Sequence, residues 1–202
     1  MKSVVLDTPA GIDARLGWDP SMSEHDRKRL LAKELVAARL KIDPREVLVT
    51  REAPAQFGFH TELFASVDGE ELPFLIRNAS FRAATVVALT DQPFVVGLDI
   101  RDVHPDDATV RDMQRHSHLF NEENTLDLID HWTRVQAVRE ADGRGTRVPS
   151  EVVKLDATRL RGWIRDRKAE YTIVDLSRDG FVVTLAFADA VDAETPADGL
   201  PR

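Results

Sequence analysis

The hydrophobic positions first take up a helical rhythm after Ser23. Leu30, Leu31, Leu35, Val36 and Leu40 recur at spacings that put them on one side of a helix over 24–40. Ser23, with Asp26 three residues on, suits the helix start, because a serine side chain there accepts from the free amides of the first turn. Asp43-Pro44 closes the segment. From Val47 the period changes to that of strands, with short extended pieces at 46–50, 62–67 and 74–77 and a turn at Asp68-Gly69. Stronger strands follow at 85–89 and 94–100, and the turn Thr90-Asp91-Gln92-Pro93 between them predicts a hairpin.

Helical spacing returns over 105–119 and again over 124–140, where Leu126, Ile129, Trp132 and Val135 share one side. Gly143-Arg144-Gly145 stops that helix. A strand at 152–155, an ambiguous piece at 158–165 and a closing hairpin of 171–176 with 181–187 around Arg178-Asp179-Gly180 complete the pattern. The order, helix then strands and again helix then strands, predicts an α+β fold of two pseudo-duplicated halves, each a helix packed on a small antiparallel sheet. The expected divisions are an irregular segment 1–22 with one strand at 3–6, a first half 23–102, a second half 103–188 and a mobile acidic tail 189–202.

Composition narrows the function classes. The 202 residues are 43% apolar and 31% charged, the balance of a water-soluble globular chain. Apolar runs such as Phe94-Val95-Val96 are too short to span a bilayer, and Asp7 interrupts the opening where a signal peptide would continue its apolar core. A cytoplasmic protein with no membrane partner is expected. The absence of cysteine removes disulfides, zinc–thiolate sites and thiol nucleophiles. A net charge of −8 argues against a nucleic-acid partner, while leaving room for a locally basic pocket.

Three segments then carry a resemblance. Arg77-Asn78-Ala79-Ser80-Phe81, Val96-Gly97-Leu98-Asp99-Ile100-Arg101 and Trp132-Thr133-Arg134-Val135-Gln136-Ala137, the last followed by Arg139 and Gly143-Arg144-Gly145, occur in an order and context that resembles the surfactin-type 4′-phosphopantetheinyl transferases. The family has Asn-x-Ser-His, Gly-hydrophobic-Asp-hydrophobic-Glu and Trp-x-x-Lys-Glu-Ala at these places. The resemblance runs from about Asp26 to Phe187. It implies a 4′-phosphopantetheinyl transferase-like fold and transfer of the phosphopantetheine arm of coenzyme A to a serine of an acyl or peptidyl carrier protein. Hard carboxylate ligands would hold a magnesium ion against the pyrophosphate, a base would take the serine proton, and cations would hold the phosphates.

Carried over residue by residue, Asp99 stands at the first metal-ligand position. Arg101 replaces the second carboxylate, Gln136 the helix glutamate, Val135 the lysine and Phe81 the histidine. Ser80 and Arg139 match in type, and Arg29 and Lys33 lie where the family places cations near coenzyme A. An alternative register of the helix, Arg139-Glu140-Ala141, offers Glu140 as the missing carboxylate one turn later. The resemblance therefore implies a weakly active or inactive homologue that retains coenzyme A or carrier-protein binding, with magnesium needed only if it turns over. An active transferase with a rearranged site is the alternative, and an unrelated α+β interaction module is the alternative from another class. Beside these stand plainer readings: Asp99 capping a turn or pairing with Arg101, Trp132 as core, and His116, His118 and His131 as surface residues.

Overall fold

In the computed structural model, residues 1–51, 63–116 and 124–197 are described. The chain is mixed α+β with antiparallel sheets and divides into two compact units, Met1–Gln92 and Pro93–Arg202. No helix among the described residues is long and apolar enough to cross a membrane.

The first unit opens with β1 (Lys2–Leu6) and β2 (Ile12–Trp18), paired antiparallel. Helix α1 (Glu24–Leu40) begins at Ser23, whose side chain accepts from the Asp26 amide at 3.1 Å. It ends at Lys41, which turns left-handed (φ 59°) and returns its N–H to the Ala37 carbonyl. The expected boundaries of this helix hold, because cap and hydrophobic stripe agree. Strands β3 (Val47–Arg51), β4 (Leu63–Val67) and β5 (Glu70–Glu71) form one small sheet. Strands β6 (Leu75–Phe81) and β7 (Ala84–Thr90) complete the other, in the order β1-β2-β7-β6. Leu31, Leu35 and Val36 of α1 pack on Val47, Leu63, Ile76 and Leu89 from both sheets.

Arg27 is the polar clamp of this unit. Only 3% exposed, it donates through Nε to Thr85 Oγ1 (3.2 Å), through Nη2 to the Arg82 carbonyl (2.8 Å) and through Nη1 to the carbonyls of Asp19 (3.2 Å) and Met22. These bonds tie the β2–α1 connection to the tight β6–β7 turn, where Arg82 has φ 53°. Removing the guanidinium strands several acceptors at once, each worth about 1–3 kcal/mol when left unsatisfied. Arg27→Met is therefore expected to lower unfolding free energy by about 3 kcal/mol in urea titration. A loss below about 1 kcal/mol would show that water replaces the clamp.

The second unit is built on β8 (Phe94–Asp102), α2 (Asp107–Gln114), α3 (Thr125–Ala141), β9 (Val153–Leu155), β10 (Arg161–Ile164), β11 (Glu170–Asp175), β12 (Phe181–Asp189) and α4 (Ala190–Glu194). Its five strands run β8-β12-β11-β10-β9, all antiparallel. Helix α3 lies on β8 and β12, with Ile129, Val135 and Val138 in one core with Tyr171, Ile173 and Ala186. A buried hydroxyl pair, Thr184 to Thr133 at 2.9 Å, joins helix to sheet. At the C-terminal end of α3 the Asp142 carboxylate is held by Arg144 (2.5 Å) and Arg167 (3.3 Å).

The two units share a plan. In each, the strand before the main helix (β2 or β8) pairs antiparallel with the last strand (β7 or β12), which pairs in turn with the strand before it (β6 or β11). The intervening helix, α1 or α3, packs on that pair of strands.

Several sequence expectations need correction. Residues 1–22 are not an irregular entry, since β1 and β2 are integral to the first sheet. The expected hairpin of 85–89 with 94–100 does not form. Strand β7 pairs with β2 and β6, whereas β8 pairs along its whole length with β12. The junction consequently falls at Gln92–Pro93 and not near 100–105. Partners that far apart in the chain leave no trace in a local alternation pattern. The expected helix 105–119 is realised as α2, and its last three positions lie outside the described residues. The acidic tail is ordered to residue 197: Lys168 N–H bonds the Thr195 carbonyl (2.9 Å) and Ala197 N–H the Asp166 carbonyl (3.2 Å). Residues 198–202 lie outside the described set.

Candidate functional site

On β8, alternate residues share a face, so Gly97, Asp99 and Arg101 point the same way. Gly97 shows that this is the face covered by α3. A Cβ on it would stand 2.1 Å from the Ala137 carbonyl oxygen and 2.2 Å from the Ala141 nitrogen. Helix α3 thus rests on the bare backbone of β8, and its side chains flank the strand.

Asp99 is 8% exposed. Its Oδ1 pairs with Arg101 Nη1 at 3.2 Å, and the same Nη1 donates to the Ile100 carbonyl at 2.8 Å. Its Oδ2 is buried with no hydrogen-bond partner. Burial pushes the Asp99 carboxyl up to about 7; Arg101 opposes the rise, the negative charge of Glu140 adds to it, and the Ile100 amide and Arg139 oppose it further. Strand and helix therefore bring Arg101, Arg139 and Glu140 within electrostatic reach of Asp99.

Gln136 and Arg139, one turn apart on α3, meet at a residue outside the family motifs. Arg139 Nη1 donates to Gln136 Oε1 (2.6 Å) and to Ser150 Oγ (3.0 Å), and Gln136 Nε2 donates to the same hydroxyl (3.3 Å). Ser150 opens a short 3-10 turn (Ser150–Val152) after Pro149. Burial pulls the Arg139 guanidinium below its ordinary value, while Glu140, Glu151 and Asp99 hold it up. Glu151 also meets His116 Nδ1 at 3.2 Å, and the His116 ring lies 5.3 Å from that of Trp132. Sequence reasoning missed Ser150 because it follows a glycine-rich stop at no fixed spacing from the helix.

Ser80, Phe81, Arg29 and Lys33 belong to the first unit. Ser80 Oγ lies 2.9 Å from Thr85 Oγ1, the hydroxyl that takes the Arg27 Nε. Arg29 and Lys33 are half-buried on α1, and the Arg29 Nε is buried without an acceptor. Phe81 ends β6 with the Arg82 guanidinium 5.2 Å from its ring. Val135 is 2% exposed in the core, and Trp132 is core as well. His118 lies outside the described residues.

As a magnesium site of the family's kind the residues do not fit. Arg101 already sits on Asp99, both ends of the Gln136 amide are engaged, and among the described residues no group of three acids or histidines is placed to hold a metal. Compared with protein-family models and with curated proteins, the sequence matches none.

Proposed function

We propose that the chain is a 4′-phosphopantetheinyl transferase-like protein that binds coenzyme A or an acyl or peptidyl carrier protein and transfers the phosphopantetheine arm weakly or not at all. The ion pair of Asp99 with Arg101 carries this reading. It sets a fixed cation against Asp99 at the second of the two strand positions where the family would present carboxylates. The repeated plan of the two units and the close seat of α3 on Gly97 support the fold implied by the resemblance. Arg101 and Arg139 are the groups we assign to the phosphates of coenzyme A.

One observation favours a second reading, an active transferase with a rearranged site. It is the charge of Glu140, and not the amide of Gln136, that acts on Asp99. The deciding experiment is intact-mass measurement of a carrier protein incubated with the chain, coenzyme A and magnesium, beside calorimetric titration with coenzyme A. Binding without a gain in carrier mass is the expected result. Arg101→Glu with Gln136→Glu is then expected to raise transfer by about tenfold or more and to make it magnesium-dependent. A restoring lysine at Val135 is left out because it would be buried in the core. Transfer by the unaltered chain, abolished by Glu140→Gln, would establish the second reading. Neither binding nor transfer would leave an α+β interaction module.

A further inference from the structure

We infer that Ser150 is a positioning residue for Arg139, fixing the guanidinium that the proposed function assigns to the phosphates of coenzyme A; the ligand part of this inference rests on that reading. Ser150 is 5% exposed, and its hydroxyl accepts from two donors of α3, Arg139 Nη1 and Gln136 Nε2. Gln136 Oε1 closes the triangle by accepting from the same Nη1. The guanidinium is thus held at one nitrogen by two neutral acceptors, with no carboxylate bound to that nitrogen. Its positive charge is left uncancelled by direct pairing there, and its Nε is buried with no partner. Glu140, Glu151 and Asp99 act on Arg139 only through their fields.

Such an arrangement favours capture of an anion. A guanidinium fixed in direction loses less freedom when it binds a phosphate, and neutral anchors do not compete with the ligand's charge. Ser150 supplies from the following turn the acceptor that stops the Arg139 and Gln136 side chains from swinging into solvent.

The test uses the full chain with arginine side chains observed by NMR. In the unaltered protein the Arg139 Nε–Hε signal is expected to be resolved, with rotation about the Nε–Cζ bond slowed. Ser150→Ala should speed that rotation to the rate of exposed arginines, and Ser150→Thr, which keeps the hydroxyl, should restore it. Calorimetric titration with coenzyme A should show binding weakened about tenfold in Ser150→Ala and recovered in Ser150→Thr. Gln136→Met, which keeps α3 intact, should loosen the same signal. Unchanged Arg139 rotation in Ser150→Ala would overturn the positioning role whatever coenzyme A does. Loosened rotation in a chain that never binds coenzyme A would keep the positioning role and overturn the ligand assignment.

Discussion

Gly97→Val is expected to leave the second unit unfolded, and Gly97→Ala to destabilise it by about 4 kcal/mol or more. The atoms that a Cβ would meet are backbone: the Ala137 oxygen at 2.1 Å, the Ala141 nitrogen at 2.2 Å and the Ala141 Cα at 2.9 Å. No rotamer change can relieve contacts of that kind, so α3 would have to lift from β8. Lifting it opens a core that holds Ile129, Trp132, Val135 and Val138 and separates Thr133 from Thr184. The neighbours are small for the same reason: Ala137 and Ala141 face the strand, and Ala186 pairs with Gly97 across the ladder. Gly162→Ala is the control. Its Cβ would meet side-chain atoms of Val138, Leu155 and Ile173, at 2.8, 3.0 and 3.3 Å, and side chains can move. It should lose about 1–2 kcal/mol in the same denaturation series. A Gly97→Ala protein within about 1 kcal/mol of the parent would mean that the helix does not seat on β8 as described.

Gly97 also shows what the sequence could and could not disclose. Its place in Gly97-Leu98-Asp99 was visible as a motif, but the reason for a glycine, a helix axis crossing at that residue, was not. Elements whose information is local came through well. Helix α1 was legible from Ser23 and its leucines, and the closing hairpin from Arg178-Asp179-Gly180, where Asp179 and Gly180 both take positive φ (54° and 86°). Strand β2 falls in a segment where Pro, Gly and Asp interrupt short apolar pieces, although Ile12, Ala14 and Leu16 alternate with Asp13 and Arg15 and are all buried. Pairing was the information missing altogether. Nothing near Pro93 tells that β8 joins β12 and not β7, since pairing is made along the edges of the strand and leaves no mark in its own alternation.

The site was legible in its members more than in its chemistry. Asp99, Arg101, Arg139 and Glu140 were all named from sequence, and the plain reading of Asp99 as a partner of Arg101 is what the structure holds. The α3 register was undecidable from letters, because Gln136 and Glu140 lie one turn apart on the same side. Packing separates them: Gln136 turns its amide to Ser150 and Arg139, while the charge of Glu140 acts on Asp99.

Asp99→Asn is expected to stabilise the protein at pH 8, by up to about 4 kcal/mol, while weakening whatever the site does. The folded chain raises the Asp99 carboxyl from 3.8 to about 7, and at about 1.4 kcal/mol per tenfold change in proton affinity that rise is worth about 4 kcal/mol. Between those two values the folded state holds a proton that the unfolded state has lost. Stability from this group is therefore fully present below about 3.8 and is lost as pH rises through about 7. The cause is specific: an ionised carboxylate buried beside Glu140, with one oxygen on Arg101 and the other on nothing. Asparagine has the same shape and no charge. It strands no buried cation, because the Arg101 side chain is 21% exposed and keeps its bond to the Ile100 carbonyl. The measurement is the difference in unfolding free energy between Asp99→Asn and the parent across pH 4 to 8, which removes every titration the two share. An advantage that grows with pH through neutrality is the expected outcome; a flat difference would show the carboxylate to be adequately solvated. Retention of a buried charge that lowers stability at neutral pH is what a site residue shows when its role outweighs its effect on the fold. On the proposed reading that role is to orient Arg101 toward a phosphate or to take part in transfer with Glu140.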